Sequence, residues 1–226
     1  MRGRVSPNPS PNCDARPPGA VIDTLVLHYT GMLSAQAALD RLCDPAAGVS
    51  SHYVVDEDGQ VHALVPEGLR AWHAGVSCWR GRTELNATSI GIEIVNPGHE
   101  WGYRPFPALQ MAAVCELCLA VLARHPILAR NVVGHSDVAP GRKQDPGELF
   151  DWRGLAANGV GLWPGPDEAA VEDVGAALAA IGYGPDPAAL AAFQRHWRPD
   201  RVDGLADAQT RVRLGAVMAV IGDRAA

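Results

Sequence analysis

Thr24-Leu25-Val26-Leu27-His28-Tyr29-Thr30 decides the fold: a short apolar run that ends on a histidine. A run of this kind reads as a strand buried inside a sheet. A second run, Asn131 to Val133, leads through Gly134 into His135-Ser136-Asp137 in the same manner. Both imidazoles then stand at strand ends, where a rigid scaffold can aim them at one point. Asp145 closes the turn Gly141-Arg142-Lys143-Gln144-Asp145-Pro146 shortly afterwards. Either histidine alone reads more readily as a hydrogen-bonded core residue than as a ligand. Their matching settings and the nearby carboxylate favour two neutral imidazoles and one carboxylate around Zn2+. Three protein ligands leave a fourth position open, the arrangement of a catalytic rather than a structural site. These residues read as a zinc hydrolase.

Outward from the first strand, about Val21 to His28, strands and helices alternate. A helix with Ser34 as its N-cap runs to about Asp44-Pro45. His52 to Asp56 and Gln60 to Leu64 flank Glu57-Asp58-Gly59, whose Asp-Gly step signals a hairpin. Ser89 to Val95 reads as another strand. Pro107 to His125 is the clearest helix, with Met111, Val114, Cys118, Val121 and Leu122 along one face. Between them, Pro66 to Thr88 keeps no period and holds Trp72, His73 and Trp79; a loop that long in a compact domain is usually functional. The pattern predicts an α/β fold, a mixed central β-sheet flanked by helices, preceded by a proline-rich N-terminal arm.

Gly159 to Pro166 has the composition of a linker. Three short helical patterns follow, about Asp167 to Ile181, Asp186 to His196 and Ala206 to Ile221. The expected division is residues 1–160, a catalytic domain with its arm, and residues 163–226, a small three-helix domain tethered as a separate module. A chain of 226 residues is long enough for both.

The formal net charge is -6 and no basic stripe is present, which excludes the electrostatic footprint of a nucleic-acid binder. No apolar run is long enough for a transmembrane segment. The first twenty residues lack the apolar core of a signal peptide. The five cysteines, Cys13, Cys43, Cys78, Cys115 and Cys118, are odd in number and lack a framework spacing. They favour a reducing compartment, hence a cytoplasmic location. Cys115 and Cys118 fall inside a helical pattern and read as structural.

Four stretches occur in one order: Leu27-His28-Tyr29-Thr30, Ala71-Trp72-His73-Ala74-Gly75, Ser89-Ile90-Gly91-Ile92-Glu93-Ile94-Val95-Asn96, and Gly134-His135-Ser136-Asp137 through Lys143-Gln144-Asp145-Pro146-Gly147. Over about Ser10 to Trp152 the chain resembles the zinc-dependent type 2 N-acetylmuramoyl-L-alanine amidases, the group that includes the bacterial AmpD and AmiD enzymes. The resemblance implies hydrolysis of the amide between the lactyl group of N-acetylmuramic acid and L-alanine, in peptidoglycan or its muropeptide fragments. It implies Zn2+ held by His28, His135 and Asp145, with Glu93 and Lys143 as catalytic residues. Glu93 would take a proton from water and pass it to the leaving amine. Lys143 would stabilise the tetrahedral oxyanion. Residues two apart on an extended chain point to opposite sides, so Lys143 and Asp145 can both face inward only if their turn bends.

A non-catalytic muropeptide recognition protein is the alternative on the same fold. Every ligand and catalytic position is filled here, so the enzyme leads. Trp72 and His73 either line a sugar or peptide groove or fold over the edge of the core. Tyr29 reads as packing, and His52 or Tyr53 could face a cleft. His62, His99, His125 and His196 read as ordinary histidines. Finally, Leu190-Ala191-Ala192-Phe193-Gln194-Arg195-His196-Trp197 followed by Val202-Asp203-Gly204-Leu205-Ala206-Asp207-Ala208-Gln209-Thr210 resembles a three-helix peptidoglycan-binding domain. A helical appendage that only stabilises its neighbour is the other reading of that segment.

Overall fold

The computed structural model describes residues 5–165 and 169–223. Pro166 at the end of the expected linker and Asp167 at the start of the next expected helix lie outside the described residues. In chain order the elements are β1 (Val5–Pro7), β2 (Cys13–Ala15), β3 (Thr24–Tyr29), α1 (Ala35–Cys43), β4 (Tyr53–Val55), β5 (Val61–Ala63) and β6 (Leu69–Ala71). There follow β7 (Cys78–Trp79), β8 (Arg82–Thr83), β9 (Ser89–Ile94), α2 (Gly98–Trp101), α3 (Ala108–Leu122), β10 (Val132–Gly134) and α4 (His135–Val138). The chain ends in α5 (Trp152–Ala157), α6 (Val174–Ile181), α7 (Ala189–Trp197) and α8 (Ala208–Asp223).

The main sheet has six strands in the order β1-β5-β4-β9-β3-β10. From β10 to β4 all neighbours are parallel, while β5 runs antiparallel to β4. This is the mixed sheet flanked by helices that the alternating pattern predicts. Strands β3 and β9 are apolar almost throughout because both of their faces are covered. Leu25, Leu27, Ile90, Ile92 and Ile94 pack with Val114, Cys118 and Val121 of α3 on one face. On the other face Val26 and Val133 join Trp79 and Leu85, and this cluster continues into Ile181, Phe193, Trp197 and Leu214 of the C-terminal helices. Residues 174–223 therefore lie against the sheet unit and share its core. Among the described residues no helix is long and apolar enough to cross a membrane.

Three local expectations change. The proline-rich arm is structured: β1 is the edge strand beside β5, and β2 pairs with β6. Proline is tolerated there because an edge strand leaves one side of its backbone unpaired. Asn12 is buried and donates to the carbonyls of Asp44 and Val49, both at 2.8 Å. The stretch Pro66 to Thr88 contains three short strands, β6 to β8, where no period was legible. In α3 the buried face includes Gln110, which apolar periodicity passes over. Its amide donates to the carbonyls of Val55 and Val95 at 3.1 and 2.8 Å, tying the helix to the strand ends.

Candidate active site

Register sets the first two site residues side by side. In the parallel pair β3–β9, His28 is opposite Glu93, so both side chains leave the sheet on the same face. In β10, Gly134 is opposite Leu27, so His135 follows level with His28 and begins α4. These positions are the carboxyl ends of parallel strands, where open α/β sheets place their ligands. The loop after α4 returns Asp145 to the same point, held by a hydrogen bond from the Ser136 amide to the Asp145 carbonyl at 2.8 Å.

His28 Nδ1 and His135 Nδ1 are 2.9 Å apart, and each is 3.0 Å from Asp145 Oδ2. All three residues are buried. The hydrogen bonds around them fix which ring atoms face this point. His135 Nε2 lies 3.1 Å from the Ala74 carbonyl, which can only accept, so Nε2 carries the proton and Nδ1 a lone pair. For His28 the chain is longer. Ser89 Oγ donates to the Leu85 carbonyl at 2.6 Å and so accepts from His73 Nε2 at 3.1 Å. His73 Nδ1 then accepts from His28 Nε2 at 3.0 Å, leaving His28 Nδ1 its lone pair. Two nitrogen lone pairs and a carboxylate oxygen thus converge without a donor between them, and a cation satisfies all three. Burial pushes the Asp145 carboxyl up, but His135 and His28 beside it hold it well below the usual carboxylate range. Burial, and then His135, bring His28 down to about 4, which keeps its ring neutral as a ligand must be.

Glu93 is half-buried, yet its Oε2 is shut off from solvent and meets no hydrogen-bond partner among the described residues. Burial, and then the charge of Asp145, raise its carboxyl well above the usual range, with Lys143 pulling the other way. Such a group is suited to holding and passing a proton near neutral pH. A cleft of about 590 Å³ opens over these residues, lined by Tyr29, Trp72, Glu93, Arg142, Lys143 and Asp145 among others. The turn thus bends as required, and Lys143 and Asp145 both reach the cleft.

His73 has a part that the sequence reading left open. Its ring meets the His28 ring edge-on and packs close against Gly91 of β9. A Cβ at Gly91 would stand 2.5 to 2.7 Å from that ring. Gly91→Ala should therefore displace His73 and lower folding stability by about 1–3 kcal/mol, the usual cost of overpacking, measurable by denaturant titration. Unchanged stability would show that His73 is free to move. The other histidines divide. His52 is fully buried away from the cleft, where its Nδ1 accepts from the Gly91 amide at 2.9 Å. Tyr53 donates to Glu67 instead of facing the cleft. His62, His125 and His196 bond Asn8, Glu67 and Asp137. His99 departs from its ordinary reading: it lines the cleft and pairs with Tyr29 Oη at 3.0 Å. Nothing in its local sequence marks it. Arg142 was also missed; it donates to the carbonyls of Ala74 and Val76 at the cleft wall.

Residues 18–148 match the N-acetylmuramoyl-L-alanine amidase family. The chain is 38% identical over 234 residues to N-acetylmuramoyl-L-alanine amidase AmiD of Escherichia coli, covering 89% of this chain and 84% of that one. A structure of AmiD from E. coli in complex with the substrate anhydro-N-acetylmuramic acid-L-Ala-D-gamma-Glu-L-Lys superposes with a TM-score of 0.79 at 37% identity, covering 92% of this chain and 93% of that one. AmpDh3 from Pseudomonas aeruginosa in complex with anhydromuramic pentapeptide gives a TM-score of 0.80 at 32% identity, covering 88% of this chain and 92% of that one.

Proposed function

The chain belongs to the N-acetylmuramoyl-L-alanine amidase family, and we propose that it works with zinc held by His28, His135 and Asp145 and with Glu93 and Lys143 as catalytic residues. The bond hydrolysed is the amide between the lactyl group of N-acetylmuramic acid and L-alanine. The observation that carries the metal reading is the convergence of His28 Nδ1, His135 Nδ1 and Asp145 Oδ2 with every donor turned away. Bound zinc supplies Lewis acidity, drawing electron density from the scissile carbonyl and easing the loss of a proton from water. Glu93, whose Oε2 has no hydrogen-bond partner among the described residues, takes a proton from the attacking water and delivers it to the amine of L-alanine as the amide breaks. Lys143 offsets the negative charge that develops on the former carbonyl oxygen. Arg142 donates to the Ala74 carbonyl that also accepts from His135 Nε2, and so steadies that side of the site.

The substrate assigned to the cleft is a muropeptide. Its volume and its lining by Trp72 and Tyr29 fit a muramyl peptide, and the AmiD and AmpDh3 complexes named above each hold an anhydromuramyl peptide. Residues 163–226 are assigned peptidoglycan binding, and helices α6 to α8 within them also pack on the sheet. A groove of about 320 Å³ lined by Trp163, Trp197, Arg153 and Arg213 supports this. The five free thiols support a reducing, cytoplasmic compartment. The test is to incubate the full chain with a defined anhydromuramyl tripeptide and identify the products by mass spectrometry. The expected products are the anhydromuramic acid and a free peptide beginning with L-alanine. Intact substrate, or cleavage within the peptide, would overturn the assignment.

A further inference from the structure

Asp137 lies two residues beyond the ligand His135 and is wholly buried. The amidase chemistry gives it no task, and an ionised carboxylate in such a place must be well bonded. Its Oδ2 accepts from the Gly134 amide at 2.7 Å and from His196 Nδ1 at 2.7 Å, and its Oδ1 accepts from Tyr183 Oη at 2.6 Å. The first of these bonds closes the single turn of α4 around His135. The other two come from the C-terminal helical segment.

A four-residue helix has too few internal hydrogen bonds to hold its own shape, so its geometry is set from outside. Both outside donors are themselves fixed. The His196 ring is stacked between Trp152, at 3.9 Å, and Trp197, at 4.0 Å, and is buried. Tyr183 is buried with its ring edge-on to Trp79 at 5.2 Å. We infer that Tyr183 and His196 are positioning residues for the metal centre: through Asp137 they clamp α4 and so aim His135 Nδ1 at the ligand cluster. The C-terminal helices are on this account a working part of the catalytic unit. This inference rests on the metal reading given above and extends it to residues 46 and 59 positions away from Asp137.

A packing role alone would lower stability without touching the metal. The test separates the two. Tyr183→Phe deletes one oxygen and keeps the ring; His196→Phe keeps a stacked ring and deletes the donor; His196→Asn restores a donor near the Nδ1 position. Full-length variants are compared with the wild type for zinc affinity, by competition with a chromophoric chelator, and for the visible spectrum of the cobalt-substituted protein. Both are read well below each variant's melting temperature. Support groups outside the ligand set typically contribute about 10- to 100-fold in metal affinity. The expected result is zinc binding weakened by roughly 10-fold in Tyr183→Phe and in His196→Phe, with altered cobalt bands, and recovery in His196→Asn. Folded Tyr183→Phe protein with wild-type zinc affinity and an unchanged cobalt spectrum would overturn the clamp. Wild-type protein that takes up no zinc would instead overturn the metal reading beneath it.

Discussion

Asp145→Ala should leave a folded protein that no longer retains zinc and cleaves muropeptide at about 10³-fold below the wild-type rate, or less. The Asp145 carboxylate is the only negative charge in the ligand cluster, and it faces both imidazoles at 3.0 Å. Without it, two neutral nitrogens remain, too few to hold the metal against competing water. The lost Lewis acidity corresponds to several kcal/mol of transition-state stabilisation, and each ~1.4 kcal/mol is tenfold in rate. Folding should survive, because the bond that ties this loop to α4 runs from the Ser136 amide to the backbone carbonyl of residue 145, which alanine also supplies. Metal analysis and circular dichroism on the same sample check both halves. Zinc at wild-type occupancy in Asp145→Ala would remove Asp145 from the ligand set.

Glu93→Gln should do the opposite: full zinc content with turnover lowered by about 10²-fold or more, the usual contribution of a positioned proton-transfer group. Glutamine keeps the volume of the side chain but cannot hold and release the proton. Substrate affinity should change little, so the loss falls on kcat and not on KM. The stability cost should be small, since Glu93 Oε2 has no hydrogen-bond partner to lose among the described residues. Loss of zinc from Glu93→Gln would place Glu93 among the ligands and not beside them.

Much of this was legible because the relevant signals are local. The apolar runs before His28 and His135 are buried strands, and their alternation with helices gives the sheet. Glu93 was marked only by the resemblance; in the strand its neighbours are Ile92 and Ile94. The rest depends on partners distant in sequence. Prolines argue against sheet, yet β1 sits at an edge where they do no harm. Gln110 interrupts the apolar stripe of α3, and only its reach to Val55 and Val95 explains its burial. The role of His73 depends on Gly91 leaving room for its ring and on Ser89 accepting the hydrogen bond from its Nε2. His196 read as ordinary because its stacking on Trp152 and its bond to Asp137 form only when the C-terminal helices dock.

The central claim is that three residues hold one zinc and that amide cleavage depends on it. The most direct measurement is the rate of release of L-alanine-terminated peptide from a defined muropeptide, followed as zinc is withdrawn by a strong chelator and then restored. The account predicts about one zinc per chain at the start, a rate that falls in proportion to the zinc remaining, and recovery when zinc is returned. An undiminished rate in protein shown to contain no metal would contradict it.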